Sequence, residues 1–265
     1  MNFEVVNLIL FLGAALLFSV FWGFVTRFSA RSHRVTQTAR FLMRFSKNSQ
    51  DALRAYLIWA IYLLTGLAGS ALLLIIFRIS LSPYLGLRWS DLAYTFLGLV
   101  AQTALASLTL FIVGSFFRRL NWSSVMMSIP WTRVMQLMPR GIGFLYPTSG
   151  ALCEEFFFRG AIFLILILRF PWLNVWAAIA IAAALFTMQQ YLNTASPWQG
   201  FTISVGALAI SVVACLLILV TGSFLSALLC HELYIIFYLG QGKPSGKAAP
   251  RAGGNFFDQD KGVAY

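Results

Sequence analysis

The chain has 265 residues, 60% of them hydrophobic and only 10% charged, with a mean hydropathy of +0.81. This excludes an ordinary water-soluble domain, in which about a quarter of the residues carry charge. The formal net charge of +11 does not indicate nucleic acid, because the basic residues cluster between apolar runs as they do in membrane loops.

Seven apolar runs, at about 5–25, 55–77, 92–117, 148–170, 172–190, 200–220 and 223–240, approach the roughly 20 residues that a bilayer-crossing helix needs. The expected fold is therefore all-α, a polytopic membrane bundle of about seven transmembrane helices. The first run carries Glu4 and no preceding Lys or Arg, and is too long for a signal peptide, so it reads as a retained anchor. Cys153, Cys215 and Cys230 all fall in apolar segments without metal-ligand spacing. Residues 1–84 are expected to form N-terminal membrane helices around a basic loop. Residues 85–240 form the functional region, and 241–265, rich in Gly, Lys and Pro, a disordered tail.

The loop after the first run holds Arg27, Arg31, Arg34, Arg40, Arg44, Lys47 and Arg54; the loop after the third holds Arg118, Arg119, Arg133 and Arg140. With seven spans these share one side with Lys243, Lys247, Arg251 and Lys261, leaving Arg78, Arg88 and Arg169 opposite. The excess predicts a cytoplasmic basic side and an external N-terminus. The segment TARFLMRFSK at 38–47 mixes basic and apolar residues and suits either anionic headgroups or an ordinary basic loop.

The fourth run holds CEEFFFRG at 153–160. One charge at a bilayer centre costs roughly 3 kcal/mol, so Glu154, Glu155 and Arg159 together require each other or a polar cavity. Pro147 and the preceding glycines suggest a break, with Thr148 or Ser149 as N-cap of the following helix. Within that helix Glu155 and Arg159 are four apart with the acid first, the favourable order for an ion pair. Glu154 is rotated by about 100° and left without that partner. A carboxylate so placed can act as a general base toward water. The fifth run ends with Gln189, Gln190 and Asn193; the seventh contains His231 and Glu232.

On these residues the chain resembles the CAAX prenyl protease and bacteriocin-processing family of glutamic intramembrane proteases, over roughly residues 85 to 240. EEFFFR at 154–159 fits the first motif, E-E-x-x-x-R; FTMQQ supplies Phe186 of the second, with Gln190 where His is expected. HELYI supplies His231 of the third, with Ile235 where Asn or Asp is expected, and LGLRWS at 85–90 is similar to the segment that often precedes the conserved half. The resemblance implies an intramembrane endopeptidase, without metal or other cofactor, in which Glu154 activates water. Gln190 orients that water and His231 donates to the oxyanion or shuttles a proton. Glu155, Arg159, Phe186, Asn193 and Tyr234 support the site, with Tyr234, Arg159 or a backbone N–H supplying the donor that Ile235 lacks. The implied substrate is a membrane-embedded or lipidated peptide or protein, cleaved near its terminus.

The changed motifs leave a divergent protease and an inactive relative, acting as an immunity or scaffold protein, both open. An ion-coupled transporter would more often show repeated halves. A zinc site of the H-E-x-x-H kind would need a second His at 235. A serine protease centred on PTSG at 147–150 would leave the Glu pair unexplained.

Overall fold

The computed structural model describes residues 3–46, 48–117, 121–137 and 140–241. Every regular element among them is helical. They are α1 (Phe3–Arg31), α2 (His33–Leu42), α3 (Gln50–Phe77), a 3₁₀ turn (Ser82–Tyr84), α4 (Trp89–Phe116), α5 (Trp122–Ser128) and α6 (Pro130–Leu137). Then come α7 (Arg140–Glu155), a π-helical stretch (Phe156–Phe163), α8 (Leu164–Arg169), α9 (Val175–Leu192), α10 (Pro197–Thr221) and α11 (Phe224–Gln241). Helices α1, α3, α4, α9 and α10 are long and apolar enough to cross a membrane. The continuous α7–π–α8 rod and the shorter apolar α11 occupy the other two of the seven expected runs, but neither is a single helix long and apolar enough by itself to cross a membrane. Of the expected tail, 241–265, Gln241 is the last residue of α11, and the rest lies outside the described residues.

The helix ends follow local chemistry. Ser49 accepts from Ala52 N at 3.2 Å to cap α3, and Asn174 accepts from Trp176 N at 2.8 Å to cap α9. Ser196 caps α10 ahead of Pro197, whose missing N–H costs nothing in the first turn. Gly222, at φ 67°, ends α10 in the left-handed conformation that only glycine adopts freely. The long helices are apolar on all sides. Leu10, Leu17, Phe21, Ile75, Phe96 and Phe111 are exposed on the outside, as lipid-facing residues are and as residues of a water-soluble bundle are not.

Helix α10 packs against α9, α4 and α11, and α1 packs against α3 and α9. The π-helical stretch is enclosed by α3, α9 and α10. Its residues Phe157 to Phe163 are all buried, and they form the centre of the core with Trp22, Phe11 and Phe186. Gly66 of α3 allows a close approach here: a Cβ at this position would lie 2.6 Å from Trp22 Cη2.

Three arginines lock the ends of neighbouring rods together. Arg27 on α1 donates to Thr194 O just beyond α9 (3.2 Å), and Arg88 donates to Thr221 O at the end of α10 (2.8 Å). Arg169 at the end of α8 donates to Phe77 O and Arg78 O at the end of α3 (2.8 and 2.9 Å). Each guanidinium meets carbonyls left open where a helix stops, the negative end of its dipole. These contacts join ends that an up-and-down order of seven spans places on the same side.

The fourth span differs from the expectation in two ways. Pro147 does not end a helix but lies within α7, and Thr148 and Ser149 are not its N-cap. Their hydroxyls donate back to Leu145 O at 3.2 and 2.6 Å. Hydroxyl groups satisfying carbonyls beside a proline make such an interruption tolerable in a membrane helix. Beyond Glu155 the rod also winds as a π-helix rather than an α-helix, a form often found at functional sites.

Candidate active site

Glu154 and Glu155 are the last two residues of α7, and the following winding sends them to different neighbours. Glu155 turns into the core, where both it and Arg159 are 0% exposed. Its Oε1 lies 3.3 Å from Arg159 Nη1 and 2.8 Å from His231 Nδ1 on α11. The guanidinium lies over the Phe186 ring, 4.4 Å from its centroid, and that ring meets the His231 imidazole edge-on at 6.0 Å. First-motif Glu and Arg, second-motif Phe and third-motif His thus form one buried cluster. An ion-paired carboxylate can only accept, so Nδ1 of His231 carries the proton and Nε2 is left for other chemistry.

Glu154 faces α3 and α9 and is half-buried. In place of Arg159, two other residues hold it: Tyr62 Oη donates to its Oε1, and Gln190 Nε2 donates to the same oxygen at 2.7 Å. Gln190 Nε2 also donates to Gln189 Oε1 (3.0 Å), and Gln189 Nε2 donates to Tyr62 Oη (3.2 Å). Among the described residues, both hydrogen bonds of the carboxylate therefore end on Oε1, and Oε2 takes neither.

Of the residues singled out in the sequence, the structure gathers Glu154 with Gln190, and Glu155 with Arg159, Phe186 and His231. The hydrogen bond of His231 goes to Glu155 rather than to Glu154. Asn193 caps the end of α9, its N–H bonded to Gln190 O. The Tyr234 hydroxyl reaches Gly206 on α10, 3.3 Å from where a Cβ there would lie. Among the described residues no three His, Cys, Asp or Glu side chains gather as a metal site.

Sequence reasoning missed Tyr62 and left Gln189 unassigned. A signal was present. Tyr in membrane helices concentrates at the two interfaces, yet Tyr62 sits near the middle of α3 (Gln50–Phe77). It is fixed there by its ring against Trp22 (centroids 4.7 Å apart) and by Trp22 Nε1 donating to its carbonyl at 3.0 Å.

A membrane bundle with paired carboxylates, a carboxylate-oriented histidine and a carboxylate held by an amide and a phenol is the class that fold and site define. Residues 136–237 match the model of the Rce1-like family, described as type II CAAX prenyl endopeptidase Rce1-like. This stretch runs from the end of α6 into α11 and holds Glu154, Glu155, Arg159, Phe186, Gln190 and His231; Tyr62 lies outside it. No curated protein and no solved structure matches the chain.

Proposed function

We propose that the protein is an intramembrane glutamic endopeptidase in which Glu154 activates the attacking water. The observation that carries this reading is the one-sided hydrogen bonding of Glu154: two donors on Oε1, and an Oε2 that takes neither. In the reaction Oε2 removes a proton from water as the water oxygen bonds to the scissile carbonyl carbon. The carbonyl oxygen becomes an oxyanion. The proton passes from Glu154 to the leaving nitrogen as the C–N bond breaks, giving a carboxylic acid and an amine. Gln190 holds the base but, as an amide, carries no proton. His231, with Nδ1 committed to Glu155, presents Nε2 to the oxyanion when the ring is doubly protonated. Arg159 and Phe186 keep Glu155 and His231 in place from within the core.

The substrate is a membrane-embedded or lipidated peptide or protein cleaved close to its terminus. The α2 helix, with exposed Arg34, Arg40, Phe41, Met43 and Arg44 on it or just beyond it, rests on anionic headgroups beside the bundle. The basic ends face the cytoplasm and the N-terminus faces outward, in a bacterial plasma membrane. An impermeant thiol reagent added outside whole cells should then fail to label a cysteine placed at 247, and labelling would reverse the orientation.

Gln190 and Ile235 at diagnostic positions favour a second reading, an inactive relative that binds membrane peptides without cutting them. The two separate in one comparison: the peptide termini present in membranes of cells making the wild type, the Glu154→Gln variant, or neither. A terminus found only with the wild type supports the peptidase; identical termini in all three support the inactive relative.

A further inference from the structure

We infer that Tyr62, backed by Gln189, is a positioning residue for the general base and selects Glu154 Oε2 as the oxygen that takes the proton. This deepens the peptidase reading and rests on it. The direction of every bond in the ring of four side chains is set by its neighbour. Gln190 Nε2 donates to Gln189 Oε1, which fixes that amide with its nitrogen turned to Tyr62. Gln189 Nε2 donates to Tyr62 Oη, so the phenol oxygen is already an acceptor there. The single phenol proton is directed to Glu154 Oε1, the oxygen that Gln190 also holds. A carboxylate oxygen with two donors is the poorer place for a proton taken from water, and Oε2 is left as the basic atom. Helix α3 lies outside the matched stretch of 136–237, so on this account the peptidase site is incomplete without the N-terminal helices.

The substitution Tyr62→Phe isolates the hydroxyl. The ring keeps its contact with Trp22, and the carbonyl keeps the Trp22 N–H. The full chain is assayed in liposomes with an internally quenched peptide carrying the bond at which the Glu154-dependent terminus appears. Tyr62→Phe should lower kcat by roughly 10²-fold, the scale of a misplaced reacting group, with KM within about twofold and unchanged thermal stability. Gln189→Leu should lower kcat in the same direction and add little to Tyr62→Phe, because it acts through the phenol. As a readout independent of turnover, Tyr62→Phe should shift the infrared carboxylate band that Glu154→Gln removes.

Full kcat in Tyr62→Phe, while Glu154→Gln is inactive, overturns the positioning role and leaves the peptidase standing. An unmoved carboxylate band overturns it as well. Glu154→Gln protein as active as the wild type, or no cleavage that depends on this chain, overturns the peptidase reading and the role of Tyr62 with it.

Discussion

Replacing Arg159 with methionine tests whether the buried cluster holds the fold together. Glu155 and Arg159 are 0% exposed, and Glu155 Oε1 lies 3.3 Å from the guanidinium and 2.8 Å from His231. Met keeps an unbranched apolar stem but not the guanidinium, so the main loss is electrostatic: the Glu155 charge remains buried with only the imidazole as partner. Breaking a buried pair from one side typically costs 3–5 kcal/mol. The contact over Phe186 at 4.4 Å adds about 2 kcal/mol where the cation is desolvated. At roughly 2–4 °C per kcal/mol for a chain near this size, the melting temperature should fall by on the order of 10 °C. The assay is loss of helical circular dichroism on heating in detergent. The double replacement Glu155→Leu with Arg159→Met should recover much of that loss, since apolar residues of similar volume replace a buried pair at little cost. A single variant within about 1 kcal/mol of the wild type, or a double variant no more stable than the single, would refute the reasoning.

His231→Ala should lower turnover per folded molecule by on the order of 10²–10³, as for other oxyanion donors, with substrate binding little changed. Near-normal turnover would reduce His231 to a packing residue held by Glu155. Gln190→Ala removes one of the two donors to Glu154 Oε1 and should lower turnover by on the order of 10–10². Gln190→His restores the residue of the second motif and should be tolerated; activity indifferent to Gln190→Ala would place this residue outside the site.

Five of the seven expected spans were legible because each run had to be apolar on every side over bilayer length, a pattern no soluble helix needs. EEFFFR was legible too, since three charges in the middle of such a run are too costly to be incidental. The course of the chain around Pro147 was not. A proline reads as a break in sequence, but hydroxyls at 148 and 149 and surrounding helices carry α7 through it. The π winding after Glu155 has no periodic signature in a segment where nearly every residue is buried. Of the two partners of Glu154, Gln190 was marked by its motif position, but Tyr62 was hidden for another reason. It lies 92 positions away, and only packing of α3 around the rod brings it to the carboxylate that Gln190 also holds. Asn193 and Tyr234 show the converse: polar residues near motif positions that the helices direct to a cap and to α10.

The central claim is that Glu154 is the base, and turnover of the Glu154→Gln protein tests it most directly. Gln keeps the size of the side chain and its oxygen as an acceptor for Tyr62 and Gln190, while removing basicity. Wild-type and Glu154→Gln chains are compared in liposomes, per folded molecule, by release of the cleaved peptide. The account predicts equal folding and a loss of at least 10²-fold in turnover, the lower end of general-base catalysis. Glu154→Gln protein that folds and cleaves as fast as the wild type would contradict it.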